Sequence, residues 1–396
     1  MLSQPQPRPS GSRSSTSEAS TPETSPVEGA ASAARPRTIR YGIIGAGMMG
    51  REHMRNIGLL EGTEITAIAD PNLASQGLSA GLGSERCAVF ADHREMMAAD
   101  LCDALVIASP NDTHAAILRD LLPSDRPILV EKPLCATVED CRDILRLAEG
   151  RAAPVWVAME YRYMPPVERL RAELAAGTAG RPRMISIREH RYPFLSKVDD
   201  WNRFSERTGG TLVEKCCHFF DLMRLLAEAE PVRVFASGAM DVNFVGEDYA
   251  GRKADILDNA FVIVDFANGV RAMLDLCMFA EGSWWQEQIA VTGDLARVEA
   301  FVPGPARFSP YGRERMSEVV VSPRATKQPV REEIHVDETI LKAGDHHGST
   351  FFQHRKFLDL VRHGGRPEVS LEDGLMAVLI GAAAEESART GMAVAL

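Results

Sequence analysis

Apolar and polar positions divide the chain into two parts with different periodicity. Between Thr38 and about Met159, short apolar runs such as Ala104–Ala108 and Pro127–Val130 alternate with segments of helical spacing, such as Thr113–Leu122. Runs that are apolar on both faces are typical of buried parallel strands, and the alternation indicates βαβ units. This part is therefore predicted to form a parallel sheet with helices on both faces.

The pattern changes after Pro165-Pro166. Strand-like runs then follow one another from Met184 to Val321 with little helix between them, and helices are predicted over Ser349–Arg362 and Leu371–Thr390. This order is typical of a mostly antiparallel sheet that packs one face on helices and leaves the other free to face a partner. Residues 303–345 are rich in Pro, Arg and Glu and allow no clear prediction.

A glycine-rich turn joins the first predicted strand to the first helix. Its three glycines allow a tight bend, a close approach to a pyrophosphate and close packing of helix on strand, and the helix N-terminus offers unpaired N–H groups to phosphates. A second apolar run ends in Asp70, about 20 residues further on, where a carboxylate would bind the adenosine ribose. The turn consists of Gly45, Ala46, Gly47, Met48, Met49 and Gly50.

These features predict an α/β protein that binds a dinucleotide. Residues 38–159 are expected to form a Rossmann domain with a doubly wound parallel sheet. Residues 160–396 are expected to form an α+β domain with a large, mostly antiparallel open sheet, one face of which is free for a partner. Residues 1–37 are rich in Ser, Pro, Thr and Ala, and such a segment is predicted to be disordered.

Composition excludes several classes of function. The net charge of −11 argues against a nucleic acid or an anionic membrane as partner, and no apolar run reaches the ~20 residues that span a bilayer. The seven cysteines are odd in number and include no C-x-x-C pair. They are predicted to be reduced thiols in a cytoplasmic protein.

Polar residues follow several of the predicted parallel strands. Ligands bind such sheets beyond the C-terminal strand ends, so Asp70, Ser109–His114 and Glu131–Pro133 are expected to line one crevice. The ammonium group of Lys132 would there stabilise a developing alkoxide. The alternative is an ordinary Glu131–Lys132 surface pair before a proline.

A predicted helix over Gly210–Ala227 carries a polar stripe on a mostly apolar surface. Glu214, His218 and Asp221 stand at i, i+4 and i+7, so they share one face. Polar groups on a buried face need a partner or a ligand. Either the two acids simply fix the imidazole of His218, or His218 is a general base.

Two histidine-containing segments raise the question of a metal. Cys216-Cys217 precede His218, but neighbouring residues on a helix point in different directions, and no second ligand pair stands at zinc spacing. Buried apolar thiols are the simpler interpretation. His346-His347 is interpreted as a loop feature, so no metal is predicted.

Together these motifs resemble the glucose-fructose oxidoreductase/inositol dehydrogenase/rhizopine-catabolism (Gfo/Idh/MocA) dehydrogenases. The resemblance runs from about Thr38 to the C-terminus. It implies a Rossmann domain, an open α/β domain whose sheet forms a homodimer or homotetramer interface, and sugars, cyclitols or their acids as substrates. The matching segments are the glycine turn, Asp70, S-P-N-D-T-H (109–114), E-K-P (131–133) and G-G-T-L-V-E-K-C-C-H-F-F-D (209–221).

The resemblance implies that Lys132 and His218 are the catalytic lysine and histidine. Glu214 stands where the family usually has an aspartate four residues before the histidine, so it is the third catalytic candidate. Lys215 and Cys216 stand where a small residue and a glycine are usual. Lys215 therefore adds a charge that the ordinary pattern lacks.

The resemblance also implies further contacts to coenzyme and substrate. Asn111 and His114 would lie near the nicotinamide ribose or the pyrophosphate, although a helix cap and a first-turn residue are equally consistent with the sequence. The Lys132–Pro133 bond resembles one that is often cis. Tyr192, Trp201 and Trp284 would stack against a sugar ring or belong to the core.

Beyond the glycine turn and Asp70, the coenzyme candidates are Ser109, Pro110, Asn111, His114, Glu131 and Lys132. The substrate candidates are Lys132, Arg162, Tyr163, Trp201, Lys215 and His218.

The sequence therefore suggests an NAD-dependent dehydrogenase that oxidises a secondary hydroxyl of a sugar, cyclitol or related polyol. NAD rather than NADP is expected, because Asp70 would repel a 2′-phosphate and no arginine follows it. His218, held by Glu214 or Asp221, would take the hydroxyl proton while Lys132 binds the oxygen. Two alternatives are a bound NAD recycled in glycoside cleavage or epimerisation, and a non-catalytic nucleotide-sensing regulator.

Overall fold

A computed structural model describes residues 37–309, 312 and 315–396. The tail predicted to be disordered lies outside these residues except for Arg37. In the part of the chain that the structure describes, none of the helices has the length and apolarity needed to cross a membrane.

The first half contains a six-stranded parallel sheet, as predicted. Its strand order is β3-β2-β1-β4-β5-β6, and the order reverses between β1 and β4, which is the usual position of a dinucleotide crevice. β1 and β4 are fully or nearly fully buried because helices cover both faces of the sheet. The strands are Ile39–Ile44 (β1), Thr63–Ala69 (β2), Ala88–Phe90 (β3), Ala104–Ile107 (β4), Ile128–Val130 (β5) and Val155–Val157 (β6).

Five helices connect these strands, and capping residues define where most of them begin. Asn72, Asp92 and Thr137 each accept a hydrogen bond from a backbone amide in the first turn of the following helix. The helices are Met48–Gly58 (α1), Leu73–Ser79 (α2), His93–Ala98 (α3), His114–Leu121 (α4) and Val138–Leu147 (α5).

The second half contains a nine-stranded sheet in the order β14-β13-β12-β11-β7-β10-β9-β8-β15. The β7–β10 pair is parallel and the other seven pairs are antiparallel, so the predicted mostly antiparallel open sheet is confirmed. The strands are Pro182–His190 (β7), Pro231–Ala239 (β8), Asn259–Phe266 (β9), Arg271–Cys277 (β10), Glu287–Gly293 (β11), Ala296–Val302 (β12), Ser317–Pro323 (β13), Val330–Ile334 (β14) and Val394–Ala395 (β15).

Helices cover one face of this sheet, and the last long helix joins the two halves. α12 contacts β8 and α9 in the second half and α5 in the first, and it contributes side chains to both hydrophobic cores. The helices are Pro165–Ala175 (α6), Ser205–Thr208 (α7), Thr211–Glu214 (α8), Cys217–Ala227 (α9), Glu338–Ala343 (α10), Ser349–His363 (α11) and Leu371–Thr390 (α12).

The prediction of a single helix over Gly210–Ala227 is wrong. The structure divides it into α8 and α9, because the amide of Cys216 bonds the carbonyl of Thr211 five residues back, at 3.3 Å. The amide of Phe219 then bonds the carbonyl of Cys216 at 2.9 Å, so the helix restarts in a new register. Glu214 and His218 therefore do not occupy successive turns of one regular helix.

Candidate functional site

The glycine-rich turn has the shape that a pyrophosphate requires. A Cβ on Gly50 would stand 1.9 Å from the carbonyl oxygen of Gly45, so α1 can lie this close to the turn only without a side chain. No described atom lies within 4 Å of the Cβ position on Gly47, which leaves that side of the turn open. Since no described side chain caps the N-terminus of α1, its amides are available to phosphates. The turn therefore fits NAD.

Asp70 lies directly beside this turn. One carboxylate oxygen accepts a hydrogen bond from the amide of Ala46 and the other from the amide of Asn72, both at 2.7 Å. Each carboxylate oxygen can accept more than one bond, so ribose hydroxyls remain compatible with this arrangement. Arg51, which the sequence analysis did not single out, donates to the carbonyl of Ala46 at 2.9 Å and holds the turn from the helix side.

The 109–114 segment reaches the same crevice from the end of β4. The amide nitrogen of the Asn111 side chain is buried and has no hydrogen-bond partner among the described residues. His114 is fully buried, with Nδ1 2.9 Å from the carbonyl of Pro133 and Nε2 3.1 Å from the carbonyl of Ser109. His114 therefore links the loop after β4 to the loop after β5, and Asn111 is the side chain with free hydrogen-bonding capacity.

Lys132 reaches across from the end of β5 to the second half of the chain. Its Nζ donates to the carbonyl of Glu214 at 3.0 Å, and the Lys132–Pro133 peptide bond is cis. Burial lowers the pKa of Lys132, but Cys217, Glu131 and neighbouring carboxylates outweigh burial and raise it above its usual value. Lys132 therefore carries a positive charge at neutral pH, beside the turn that leads into α9.

His218 lies in the first turn of α9 and is 2% exposed. Burial, and then the positive charges of Lys132, Lys215, His346 and Arg191, lower the pKa of His218 well below its usual value. The imidazole is therefore neutral at neutral pH, which is the protonation state of a proton acceptor. Its ring stacks on Tyr161 with centroids 4.1 Å apart and planes at 5°.

The expected hydrogen bond between His218 and a carboxylate is not formed. Nδ1 of His218 has no hydrogen-bond partner among the described residues. Glu214 instead accepts from Lys197 at 3.1 Å, and Asp221 forms a bidentate ion pair with Arg162. The change of register between α8 and α9 separates Glu214 from His218, so the prediction that either acid holds the imidazole is wrong.

The other predicted substrate residues fall into different environments. Arg162 is occupied by Asp221 and the carbonyl of Glu368, and Tyr163 lies in the core beside Trp156, so the geometry does not support a substrate role for either. Trp201 is 6% exposed and lies under the Lys197 ammonium group at 4.3 Å.

The remaining aromatic candidates lie elsewhere. Tyr192 stacks on Phe308 at 3.9 Å, and Trp284 lines a cavity of about 1090 Å³ beside Met48 and Arg51. The catalytic candidates Lys132 and His218 do not line this cavity.

A buried ionic cluster beside His218 was missed in the sequence analysis. Lys215 lies 2.9 Å from Glu189 and 2.6 Å from the hydroxyl of Tyr161, and Arg191 lies 3.3 Å from the same glutamate. Glu189 and Glu287 pair directly across β7 and β11, and burial together with Glu189 raises the pKa of Glu287 to about 7. The two-residue alternation of a strand could have indicated that Glu189 is buried, because Glu189 shares a strand face with buried Ile185 and Ile187.

A second missed cluster joins α1 to the segment before α11. Nδ1 of His346 lies 2.8 Å from Glu52 and 3.3 Å from Glu160, and Thr350 bonds both carboxylates at 3.0 and 2.5 Å. Burial lowers the pKa of His346, but Glu160 and Glu52 outweigh burial and raise it to about 9.

Ligand atoms of Glu52, Glu160 and His346 lie within 4.8 Å of one another, close enough to hold a metal ion. The charged imidazole already neutralises the carboxylates, so we interpret this group as an ion-pair cluster. The absence of a resident metal stays a prediction. The seven cysteines are free thiols.

The crevice at the sheet reversal, the glycine turn and the buried histidine beside a charged lysine define an NAD-dependent oxidoreductase with two structural halves. The chain belongs to the Gfo/Idh/MocA oxidoreductase family. The family models describe an NAD-binding Rossmann fold, which matches residues 39–159, and a C-terminal alpha/beta domain, which matches residues 171–396. The predicted family and coenzyme are thereby confirmed.

Several characterised proteins are similar to this chain. The rhizopine catabolism protein MocA of Rhizobium meliloti is 29% identical over 67% of this chain and 79% of its own length. Myo-inositol 2-dehydrogenase of Thermotoga maritima is 25% identical over 88% of this chain and 96% of its own length. A levoglucosan dehydrogenase in complex with NADH and levoglucosan has a TM-score of 0.74 at 20% identity, covering 90% of this chain and 99% of that one. The last comparison shows a shared fold.

Proposed function

We propose that this protein oxidises a secondary hydroxyl of a sugar or cyclitol with NAD as the oxidant. The relatives named as inositol 2-dehydrogenases support a polyol substrate. The main structural support is the bond from Lys132 to the carbonyl of Glu214, which brings a charged ammonium group to the turn that precedes a neutral, buried His218. A hydroxyl oxidation needs this combination of an oxygen-binding cation and a proton acceptor.

The coenzyme would be held by residues from the first half of the chain, which we propose ends near residue 159. Gly47 and the amides of α1 would bind the pyrophosphate, Asp70 the adenosine ribose, and Asn111 the segment nearer the nicotinamide. Bound NAD supplies the hydride acceptor. The full proposed set is Gly45, Ala46, Gly47, Met48, Met49, Gly50, Asp70, Ser109, Pro110, Asn111, His114, Glu131 and Lys132.

Lys132 would bind the reacting oxygen and favour the alkoxide. Cys217, Glu131 and Glu214 outweigh burial and raise the pKa of Lys132, so the ammonium group stays charged at neutral pH. A preorganised donor of this type contributes about 2.7–4 kcal/mol to a transition state with developing negative charge. Lys132 therefore stabilises the charge that appears on the oxygen as its proton leaves.

His218 would accept the hydroxyl proton. Its neutral state provides a lone pair on one ring nitrogen, and burial excludes competing water. Proton transfer to His218 and charge stabilisation by Lys132 would act on the same hydroxyl. The second half of the chain, residues 160–396, supplies this group and the substrate pocket.

The proposal is tested by supplying the purified full chain with NAD and a panel of inositols, aldoses and sugar acids. Formation of reduced coenzyme is followed by absorbance, with the Lys132→Ala variant as a matched control. We expect at least one polyol to be oxidised by the native chain and hardly at all by the variant. Equal background rates for both proteins on every compound would refute the proposal.

We further propose that the chain forms a homodimer or homotetramer through the nine-stranded sheet. The face away from the helices exposes Phe235, Ile263 and Met273, which are neighbours in register across β8, β9 and β10. Phe261 extends this apolar patch and is 62% exposed. A contiguous apolar surface of this kind is typical of a protein interface.

A further inference from the structure

We propose that Lys215 and Tyr161 are positioning residues, which orient His218 in place of the missing carboxylate. In this arrangement Glu189 anchors Lys215, Lys215 fixes the hydroxyl of Tyr161, and the ring of Tyr161 sets the plane of the imidazole. The proposal deepens the proposed function, because it assigns the support of the same proton acceptor.

The ring of His218 needs such support. A catalytic imidazole is normally oriented by a hydrogen bond to its second nitrogen, but Nδ1 of His218 has no partner among the described residues. The contact that defines its plane is the parallel stack on Tyr161, with centroids 4.1 Å apart. The orientation of the proton acceptor therefore depends on where Tyr161 lies.

Tyr161 is itself fixed at its hydroxyl. Nζ of Lys215 lies 2.6 Å from this oxygen, whereas the bond from the same hydroxyl to Glu287 is long, at 3.4 Å. Phe219 contacts the ring edge-on at a centroid distance of 5.6 Å. Lys215 thus supplies the short polar contact that fixes the ring.

Lys215 is fixed in turn by Glu189. Their side chains are 5% and 0% exposed and lie 2.9 Å apart, so neither can move into water without breaking a buried ion pair. Arg191 lies 3.3 Å from the same carboxylate oxygen, Oε1, that Lys215 contacts. These contacts connect β7 to the imidazole of His218 through three buried side chains, which are Glu189, Lys215 and Tyr161.

Lys215 also influences the charge state of His218. Among the described residues, the cations that lower the pKa of His218 include Lys132 after β5, Lys215 between α8 and α9, His346 before α11 and Arg191 after β7. Asp221 on the helix of His218 itself is neutralised by Arg162. Removing the charge of Lys215 leaves fewer cations, so the pKa of His218 should rise, and the acidic limb of kcat/KM should move to higher pH.

The test compares Lys215→Met, Tyr161→Phe and Tyr161→Leu with the native full chain. Stacking on Tyr161 shifts the ring signals of His218, which can be observed by NMR of histidine-labelled protein and assigned with His218→Gln. We expect this shift to disappear in Tyr161→Leu and to weaken both in Tyr161→Phe, which lacks the hydroxyl that Lys215 contacts, and in Lys215→Met. An unchanged shift in Lys215→Met would overturn the proposal, and this measurement requires no substrate.

Kinetics provide the second measurement. Lys215→Met should lower kcat roughly ten- to hundredfold with little change in KM, because the proton acceptor rather than the binding site is displaced. Lys342→Met, which removes an exposed partner of Glu338, is the matched control and should behave as native. A native kcat and pH profile in Lys215→Met would contradict the assignment.

The double variant Lys215→Met/Glu189→Gln covers the case in which an unpaired buried carboxylate prevents folding. It removes both charges and should show the same weakened ring shift and reduced kcat as the single variant. If the native chain oxidises no polyol, the proposed function fails, while the NMR comparison still decides whether Lys215 positions His218.

Discussion

At the scale of single residues, charge and burial explain why Lys132 is charged while His218 is neutral. Cys217, Glu131 and neighbouring carboxylates outweigh burial and raise the pKa of Lys132, whereas burial and nearby cations lower the pKa of His218. The same environment thus keeps one basic residue charged and another neutral at one pH. This separation is what a proton acceptor beside an oxyanion-binding group requires.

Replacement of Lys132 by alanine should reduce turnover by about two to three decades, because one preorganised donor at a developing oxyanion is lost. Steady-state rates of NADH formation on the best substrate measure the effect. Lys342→Ala, at an exposed ion pair, should retain native turnover. A Lys132→Ala variant that oxidises substrate at the native rate would rule out the assigned role.

Replacement of Asp70 by asparagine should weaken the preference for NADH over NADPH. The variant loses a charge that binds ribose hydroxyls and repels a 2′-phosphate, and a hydrogen bond to a charged group contributes about 1.5–3 kcal/mol. The ratio of the two dissociation constants should therefore change roughly ten- to hundredfold, as measured by titrating both coenzymes. Tighter binding of NADPH than NADH to the native chain would refute the role of Asp70.

The sequence predicts residue positions well where backbone geometry alone decides them, and less well where side chains from distant segments meet. The glycine turn, Asp70 and Lys132 follow directly from local motifs. The partner of His218 does not, because a change of hydrogen-bond register at Cys216 alters which face Glu214 occupies. Glu189 and Glu287 are single acids on separate strands, and only their pairing across β7 and β11 makes them a cluster.

At the scale of secondary structure, elements with a buried face were predictable and exposed edge elements were not. β12 alternates buried and half-buried positions, and it lies within the run of strands predicted between Met184 and Val321. β14 carries Arg331, Glu332 and Glu333 and is mostly exposed, so no hydrophobic period marks it. β15 contains only two residues, which is too short for any pattern.

The packing of α1 on the glycine turn yields a prediction about coenzyme binding. Gly50→Ala places a methyl group 1.9 Å from the carbonyl of Gly45, so α1 must move away and NAD affinity should fall at least tenfold. Calorimetric titration with NAD and thermal unfolding measure the two consequences.

Gly58→Ala is the matched control, because no described atom lies within 4 Å of its Cβ position at the other end of α1. That variant should bind NAD normally and be stabilised by roughly 0.5–1 kcal/mol, since alanine is the better helix former. Equal NAD affinities for the two variants would contradict this account of the turn.

At the scale of the whole molecule, the His346 cluster makes stability depend on pH. The pKa of His346 is raised to about 9 in the folded chain, against 6.5 for the free group. The stabilisation is therefore complete below pH 6.5 and is lost as pH rises through 9, which amounts to about 3 kcal/mol. The free energy of unfolding, measured with denaturant over this range, should fall for the native chain.

The His346→Gln variant should show a smaller decrease over the same pH range. The charge on residue 346 no longer changes, while Glu52 and Glu160 remain. Parallel curves for native chain and variant would show that His346 does not supply the dependence.

The exposed face of the nine-stranded sheet yields a prediction about assembly. Ile263→Glu introduces a charge at the centre of the apolar patch and should convert the oligomer into a monomer, because an unpaired buried charge is costly. Light scattering after size exclusion measures the mass. Leu73→Glu, at an exposed leucine on α2, is the matched control and should keep the native mass. A native chain that is already monomeric would refute the proposed interface.

α1 extends from the glycine turn, the proposed pyrophosphate site, to the neighbourhood of Lys132, the proposed catalytic lysine. Its first turn follows Gly47, while His53 in its middle bonds Glu131, the residue before Lys132, at 2.9 Å. The helix therefore fixes the distance between the proposed pyrophosphate site and the ammonium group of Lys132. Any substitution that tilts it would displace both ends in concert, so weakened NAD binding and slowed chemistry should arise together from changes along its buried side.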